Sequence, residues 1–236
     1  MARLAHLTDL HLNGTPARAE KLARALIQAA TLGANHLLLT GDLTAHGNPA
    51  HFVELARVLQ GYWPHGATIV GGNHDGAFFK KAIAADGVLG RWSHTSVAGA
   101  AVQLNDLTII PVDTYVPKRA LIFRALGMVG NPQLDMVDRI VRNARRPVVI
   151  AMHHGPQAEP LRAFASLVDA RRFAGLLARH PHVSVCCGHD HRVLDIGTIH
   201  VAAAVAHHPD PLRLYEVAAG RLKGIYTNGQ PGYYFE

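Results

Sequence analysis

The chain has 236 residues, 49% hydrophobic and 17% charged, which fits one folded domain (1–236) and excludes a disordered polar protein. The balance of 23 Lys and Arg against 17 Asp and Glu leaves a net charge of +6, beside 17 histidines. Two adjacent cysteines, Cys186 and Cys187, exclude a disulfide scaffold and a cysteine-rich zinc module; on a strand they would face opposite sides as small apolar residues.

In chain order, residues 3–8 read as a strand, followed by a helix that starts at Thr15-Pro16 and closes at Gly33. Residues 36–40 form a second strand, and Asn48-Pro49 opens a helix that Gly61 is expected to end. Residues 67–70 form a third strand, with Asp75 the expected cap of the next helix. Weaker strands fall within 93–112, with a turn at Asn105-Asp106. Asn131-Pro132 starts a helix that should run to Arg146-Pro147. Its Leu134, Val137, Val141 and Ala144 share one face, and Arg139, Arg142 and Arg146 the other. Residues 148–152 and 183–187 are buried strands, and 192–226 reads as short antiparallel strands. This alternation of strands and helices is the α/β pattern. No apolar run approaches the roughly 18 residues of a membrane span, and no signal-peptide pattern is present, so a soluble cytoplasmic enzyme is expected.

The residues at the exit of each buried strand carry the chemistry. The five strands run into Asp9-Leu10-His11, Gly41-Asp42, Gly72-Asn73-His74-Asp75, His153-His154 and Gly188-His189-Asp190-His191. Ligands of open α/β sheets bind at the carboxyl ends of the strands, so these segments should converge on one rim. Asp, His and Asn suit zinc, manganese or iron. Asp9 and His11, like His189 and His191, are two apart, so extended backbone would project each pair to one side. Glycines ahead of Asp42, Asn73 and His189 allow close turns. Seven donors (Asp9, His11, Asp42, Asn73, His153, His189, His191) are too many for one tetrahedral ion. Two divalent ions held by two carboxylates leave a formal charge of +2, or +1 with a bridging hydroxide, which favours an anionic substrate.

These segments, in this order, resemble the calcineurin-like metallophosphoesterase superfamily, whose pattern of DxH, GD, GNH[DE], H and GHxH is present over residues 9–191. The resemblance implies a four-layer α/β/β/α sandwich with two metals at one edge. The first metal would take Asp9, His11, Asp42 and His191. The second would take Asn73, His153, His189 and the shared Asp42, with His153 preferred to His154. The implied chemistry is attack on phosphorus by a hydroxide bridging the two ions, with Asp42 and His74 catalytic and His74 contacting phosphate and assisting the leaving group.

The protein Ser/Thr phosphatase branch places Asp and Arg-Gly after GD and uses GNHE; here Leu43-Thr44-Ala45-His46-Gly47 follows Asp42, and Asp75 replaces the Glu. The set, with Val112-Asp113-Thr114, Gly130, Gln133 and Leu134, looks more like the class III cyclic-nucleotide phosphodiesterase group. A small diester is then the expected substrate. A phosphomonoester on the same site is the alternative, and a non-catalytic scaffold of this fold a remote one. Many relatives carry Asp or Asn where this chain has Ala45, which leaves the orientation of His74 to another group, with His46 a candidate.

Residues 115–146 hold seven basic side chains (Lys118, Arg119, Arg124, Arg139, Arg142, Arg145, Arg146) against Asp135 and Asp138; they read first as a solvated helix face, so a nucleic-acid partner is not expected. Residues 121–123 with Gly127 and Met128 could form a lid or the surface of a homodimer, or pack in the core. His36, His51, His65, His94, His180 and His182 read as surface or strand-end residues. His46, His154, His207 and His208 fall near the rim, and the His207-His208 pair could touch substrate.

Overall fold

The computed structural model describes residues 1–92, 101–116, 125–156 and 167–227. Among these, one sheet is built from β1 (Arg3–Leu7), β2 (His36–Thr40), β3 (Gly66–Val70), β10 (Arg213–Ala218) and β11 (Arg221–Thr227), in the order β11-β10-β1-β2-β3. The other contains β4 (Val102–Gln103), β5 (Thr108–Pro111), β6 (Val148–Ala151), β7 (Ser184–Cys187), β8 (Leu194–Ile196) and β9 (Ile199–Val201), in the order β4-β5-β6-β7-β9-β8. The helices are α1 (Pro16–Thr31), α2 (Pro49–Tyr62), α3 (Phe78–Ala82), α4 (Asn131–Asn143) and α5 (Ala170–Arg179).

Alternation along the strands sorts the side chains into three cores. Leu37 and Leu39 of β2 face Leu22, Leu26, Phe52 and Leu55 of α1 and α2, whereas Leu38 faces the other sheet. In β6, Ile150 packs with Val137 and Phe173 of α4 and α5, whereas Val149 and Ala151 meet Leu4, Leu38 and Val70 across the middle. Cys186 lies in the inter-sheet core and Cys187 in the helix-side core, so the adjacent cysteines do face opposite ways. The layers run helix, sheet, sheet, helix, as expected.

The helix boundaries follow local chemistry. Pro16 opens α1, whose end is a Schellman turn: Gly33 N–H donates to Ala30 O at 2.9 Å and Ala34 N–H to Ala29 O at 3.0 Å, with Gly33 at φ +78°. Asn48 caps α2 by accepting from Ala50 N–H at 3.0 Å. Three expectations need correction. Gly61 does not stop α2, which runs to Tyr62, because Gly61 is not among the glycines with positive φ and so makes no left-handed turn. The helix from Asn131 stops at Asn143, before Arg146-Pro147. Residues 192–226 are not all antiparallel: β8 and β9 form a hairpin, but β9 docks parallel to β7. The parallel partner is long-range, so the local turn signal at Gly197 does not reveal it.

A polar clasp crosses the gap between the sheets. Arg213 of β10 is 1% exposed, donates to Val201 O at 2.8 Å and meets Asp195 of β8 at 2.5 Å. Asp195 also binds His200 Nδ1 at 2.7 Å. Beside it lie Tyr215 and His6, the latter bonded to Thr40 Oγ1 at 2.7 Å. None of the sequence patterns draws attention to this group.

Candidate metal centre

The loops after β1 and β2 lie side by side and are zipped together by their backbones. Asp9 N–H donates to Gly41 O at 3.0 Å, His11 N–H to Asp42 O at 2.9 Å and Leu12 N–H to Leu43 O at 3.1 Å. Asp9, His11, Asp42, His189 and His191 all adopt left-handed backbone, with φ between +45° and +72°. That region is unfavourable for residues with a side chain and is held only where the surroundings dictate it. The extended backbone expected for the Asp9/His11 and His189/His191 pairs is therefore wrong. Sharp left-handed turns, not strand alternation, bring each pair together, because both ladders have already ended at these positions.

Two glycines make the approach of the loops possible. A Cβ on Gly72 would run into the Asp42 carboxylate, and one on Gly188 into Thr8 Oγ1 and Asp9. Gly188 N–H donates to His153 O at 3.1 Å, and His189 N–H to Asp9 Oδ2 at 3.0 Å, tying the two sheets' rims to each other. The seven expected ligands are thus brought together. Asp9 Oδ1 lies 3.1 Å from His191 Nε2 and 3.9 Å from His11 Nε2. His153 Nε2 lies 3.1 Å from Asn73 Oδ1 and 3.4 Å from Asp42 Oδ2. Asp42 Oδ2 is also 3.9 Å from His11 Nε2, so it stands between the two groups. The rings of His153 and His189 are 5.0 Å apart.

The charges of this cluster fit divalent cations. Asp9 and Asp42 are buried, and among the described residues no Lys or Arg pairs with either. Asp9 Oδ1 is buried, with His191 Nε2, 3.1 Å away, as its near neighbour. Burial would raise the Asp42 carboxyl, yet the charge and hydrogen bond of His153 hold it well below the usual range. Burial likewise opposes a charge on His153, but Asp42 and Asp9 push it up to about 10. An imidazole is standing in for the missing counter-charge. Its other nitrogen is committed: His153 Nδ1–H donates to Thr40 O at 2.8 Å, which turns Nε2 into the cluster.

His74 is held from an unexpected quarter. Its Nδ1–H donates to the carbonyl of Ala45 at 2.8 Å, so the backbone does what a side chain at position 45 would do, and His46 is not its partner. Nε2 then faces Asp42 Oδ2 at 3.9 Å, and the half-exposed ring packs edge-on to His11. Asp75 fixes the carbonyl. It does not cap α3, whose cap position is Ala77. Its buried carboxylate accepts from Leu43 N–H (3.1 Å), Thr44 N–H (2.8 Å) and Gly72 N–H (2.9 Å), buckling the loop that carries Ala45 to the one that carries His74. Burial, then the neighbouring Asp42, raises the Asp75 carboxyl to about 6. An acid just ahead of a helix looks like a cap; only the tertiary fold reveals the loop it turns back to.

His154 is buried, with Nδ1 2.7 Å from Thr114 Oγ1 and Nε2 without a partner. Its donor atom lies within 4.8 Å of those of His153 and His189, but His153 alone of the doublet faces Asp42. Gly127 packs directly on the His154 ring, which gives this residue a packing role. Of the second doublet, His207 stands over the rim, 5.5 Å from the His191 ring and 6.3 Å from that of His11. His208 closes its own turn on Asp210. His36 is a strand-end residue but a buried one, 2.9 Å from Thr68 Oγ1. His94, Lys118, Arg119, Arg124 and residues 121–123 lie outside the described residues. Arg142 and Arg179 both pair with Asp138, and Arg146 donates to Leu104 O, so part of the basic stretch is tied down locally. Thr8 and Thr40, which no sequence pattern singles out, orient Asp9 and His153 from below.

Comparison with known proteins agrees with this geometry. The profile of the calcineurin-like phosphoesterases matches residues 2–193, and the chain belongs to that family. A probable cyclic nucleotide phosphodiesterase of Synechococcus sp. is 28% identical over 199 residues, covering 80% of this chain and 73% of that protein. Another protein so named, from Rhodococcus erythropolis, is 26% identical over 80% of this chain and 64% of its own length. Among solved structures, a dimetal phosphatase from Danio rerio superposes with a TM-score of 0.66 at 13% identity, covering 94% and 95% of the two chains. The chain is a metal-dependent phosphoric ester hydrolase of the α/β sandwich type. No helix among the described residues is long and apolar enough to cross a membrane.

Proposed function

We propose that this phosphoesterase hydrolyses small phosphodiesters, cyclic nucleotides among them, with two divalent cations drawn from manganese, iron and zinc. The observation that carries this reading is the pair of buried carboxylates, Asp9 and Asp42, ringed by imidazoles with no fixed cation beside them. Asp9, His11, Asp42 and His191 would hold one ion, and Asn73, His153, His189 and Asp42 the other. When bound, such ions polarise phosphoryl oxygens and bring the pKa of water towards neutrality. Ligands from both sheets serve this one site, which supports treating residues 1–236 as a single domain.

The chain's own residues do the rest. Thr40 O and Ala45 O fix the tautomers of His153 and His74, leaving one nitrogen of each directed at the site. As the oxygen of a water that has released a proton to solvent bonds to phosphorus and the ester P–O bond breaks, His74 delivers an Nε2 proton to the departing alkoxide and regains one from solvent. Two divalent ions against two carboxylates leave a formal charge of +2, which a monoanionic diester lowers without reversing. The preference for diesters rests on the similarity to proteins named cyclic nucleotide phosphodiesterases. The test is a panel of bis(4-nitrophenyl) phosphate, 4-nitrophenyl phosphate and cyclic nucleotides with Mn²⁺. A higher kcat/KM for diesters is expected; a higher value for the monoester would replace this reading with a phosphomonoesterase.

A further inference from the structure

One side of the rim carries positive charge that the proposed chemistry does not use. Arg18 and Lys21, on the first turns of α1, have no carboxylate partner among the described residues, whereas nearby Arg24 pairs with Glu20 at 3.8 Å. Arg18 Nη1 is buried and lacks any hydrogen-bond partner. Lys21 Nζ reaches Ala206 O at a long 3.4 Å, directly before His207. The loop bearing His207 is locked to the metal-binding loop: Val205 N–H donates to Thr8 O at 3.0 Å and Ala206 N–H to Asp9 O at 3.1 Å. His207 is exposed, and its ring stands 5.5 Å from that of His191. Arg18 and Lys21 lie three residues apart on α1, and Lys21 reaches the carbonyl directly before His207, so the three groups gather on one side of the site.

Like charges placed side by side without acids repel, and a guanidinium nitrogen withdrawn from water and left unpaired is costly. Both costs vanish when an anion sits among them. We propose that Arg18, Lys21 and His207 form a subsite for a second phosphate group of the substrate, flanking the ligands His11 and His191. Arg18 offers the forked donors that phosphate oxygens match, Lys21 a point charge, and His207 a ring N–H. A dianionic phosphate there balances the two cationic side chains while the scissile ester meets the metal ligands. The inference rests on the phosphodiesterase reading and deepens it: among the diesters taken, those that carry a second phosphate are preferred.

The test uses two substrates with one scissile bond and one leaving group: the 4-nitrophenyl ester of thymidine 5′-phosphate, with and without a 3′-phosphate. The Mn²⁺-loaded enzyme is expected to favour the 3′-phosphorylated ester, chiefly through KM. Arg18→Ala should cut the ratio of the two kcat/KM values by about 10- to 100-fold, and Arg18→Lys should restore part of it. Extending the 3′ end by one nucleotide separates a small bisphosphate from the neighbouring phosphate of an oligonucleotide as the source of the anion. No preference in the wild type, or an unchanged ratio in Arg18→Ala, overturns the subsite. Calorimetric binding of thymidine 3′,5′-bisphosphate and thymidine 5′-phosphate to the loaded protein reads the subsite even if neither ester is hydrolysed. Failure of the phosphodiesterase reading is thereby kept apart from failure of the subsite, which equal affinities in this assay would overturn.

Discussion

Two regions of this molecule are built from the same residue types and do opposite things. Between the sheets, the partly buried Asp195 meets His200 and the guanidinium of the buried Arg213, so this carboxylate has a permanent cation. At the rim, Asp9 and Asp42 are more deeply buried and have only imidazoles. The backbone differs as well. The clasp sits on regular strands, whereas five of the rim's ligand positions are left-handed. An acid paired with its own buried cation holds a fold together; buried acids without one, on left-handed loops, suit a cation from outside.

The sharpest way to break this contrast is to remove one charged side chain from each region. Asp42→Ala should abolish turnover by more than the 10²–10³-fold that loss of a single electrostatic stabiliser costs, and more than any single histidine variant. A loss larger for His11→Ala at saturating metal would undo the central place of Asp42.

His74→Ala is the next largest effect. Turnover of alkyl or cyclic-nucleotide esters should fall by about 10²–10⁴-fold, with a much smaller loss on nitrophenyl esters, which leave without a proton. Metal content should not change. Equal losses on both leaving groups would assign His74 to phosphate binding alone. Because the backbone carbonyl of Ala45 orients the ring, Ala45→Gly should keep most of this leaving-group dependence.

In the clasp the same kind of substitution should strike stability instead. Arg213→Met leaves the partly buried Asp195 beside only His200, and a cost of about 1–3 kcal/mol in denaturant unfolding is expected. Removing both partners, with Asp195→Leu added, should recover part of it. Metal stoichiometry should stay as in the wild type; a clasp variant that lost metal at unchanged stability would merge the two regions.

The smallest effect concerns pH. Burial, then the charge of Arg213, lowers the pKa of His6 to about 3, so the folded protein keeps it neutral while the unfolded chain takes up a proton below about 6.5. Stability should therefore drain away as pH falls from 6.5 towards 3, by up to about 1.4 kcal/mol per pH unit from this group. His6→Asn should flatten that limb in metal-free protein, as read by urea titrations between pH 6 and 4. An unaltered slope would show that His6 does not titrate with folding.

The two regions also differ in how legible they are. The rim can be read from the sequence because each strand's exit spells a short pattern, as in Gly72-Asn73-His74-Asp75, and α/β connectivity brings strand exits together. What the pattern omits is how the loops are held: the left-handed turn at Asp9, the buckle formed by Asp75 and the carbonyl of Ala45 all depend on partners about 30 or more residues away. The clasp leaves no trace at all. His6, Asp195, His200 and Arg213 are scattered through strands with no spacing rule, and only the packing of β8, β9 and β10 joins them. Local signals, including Pro16, Gly33 and Asn48, mark the helix ends well because capping is a local affair. The parallel docking of β9 on β7 is not local, and the antiparallel expectation for 192–226 misses it for that reason.

The most direct measurement is the metal content of purified, Mn²⁺-reloaded protein, wild type and Asp42→Asn, with the ions located by anomalous diffraction. Two ions per wild-type chain are expected, about 3.5–4 Å apart on either side of the Asp42 carboxylate, with both weakened in the variant. A wild type that binds no more than one ion, or a variant that keeps both as tightly, would contradict a shared two-cation centre.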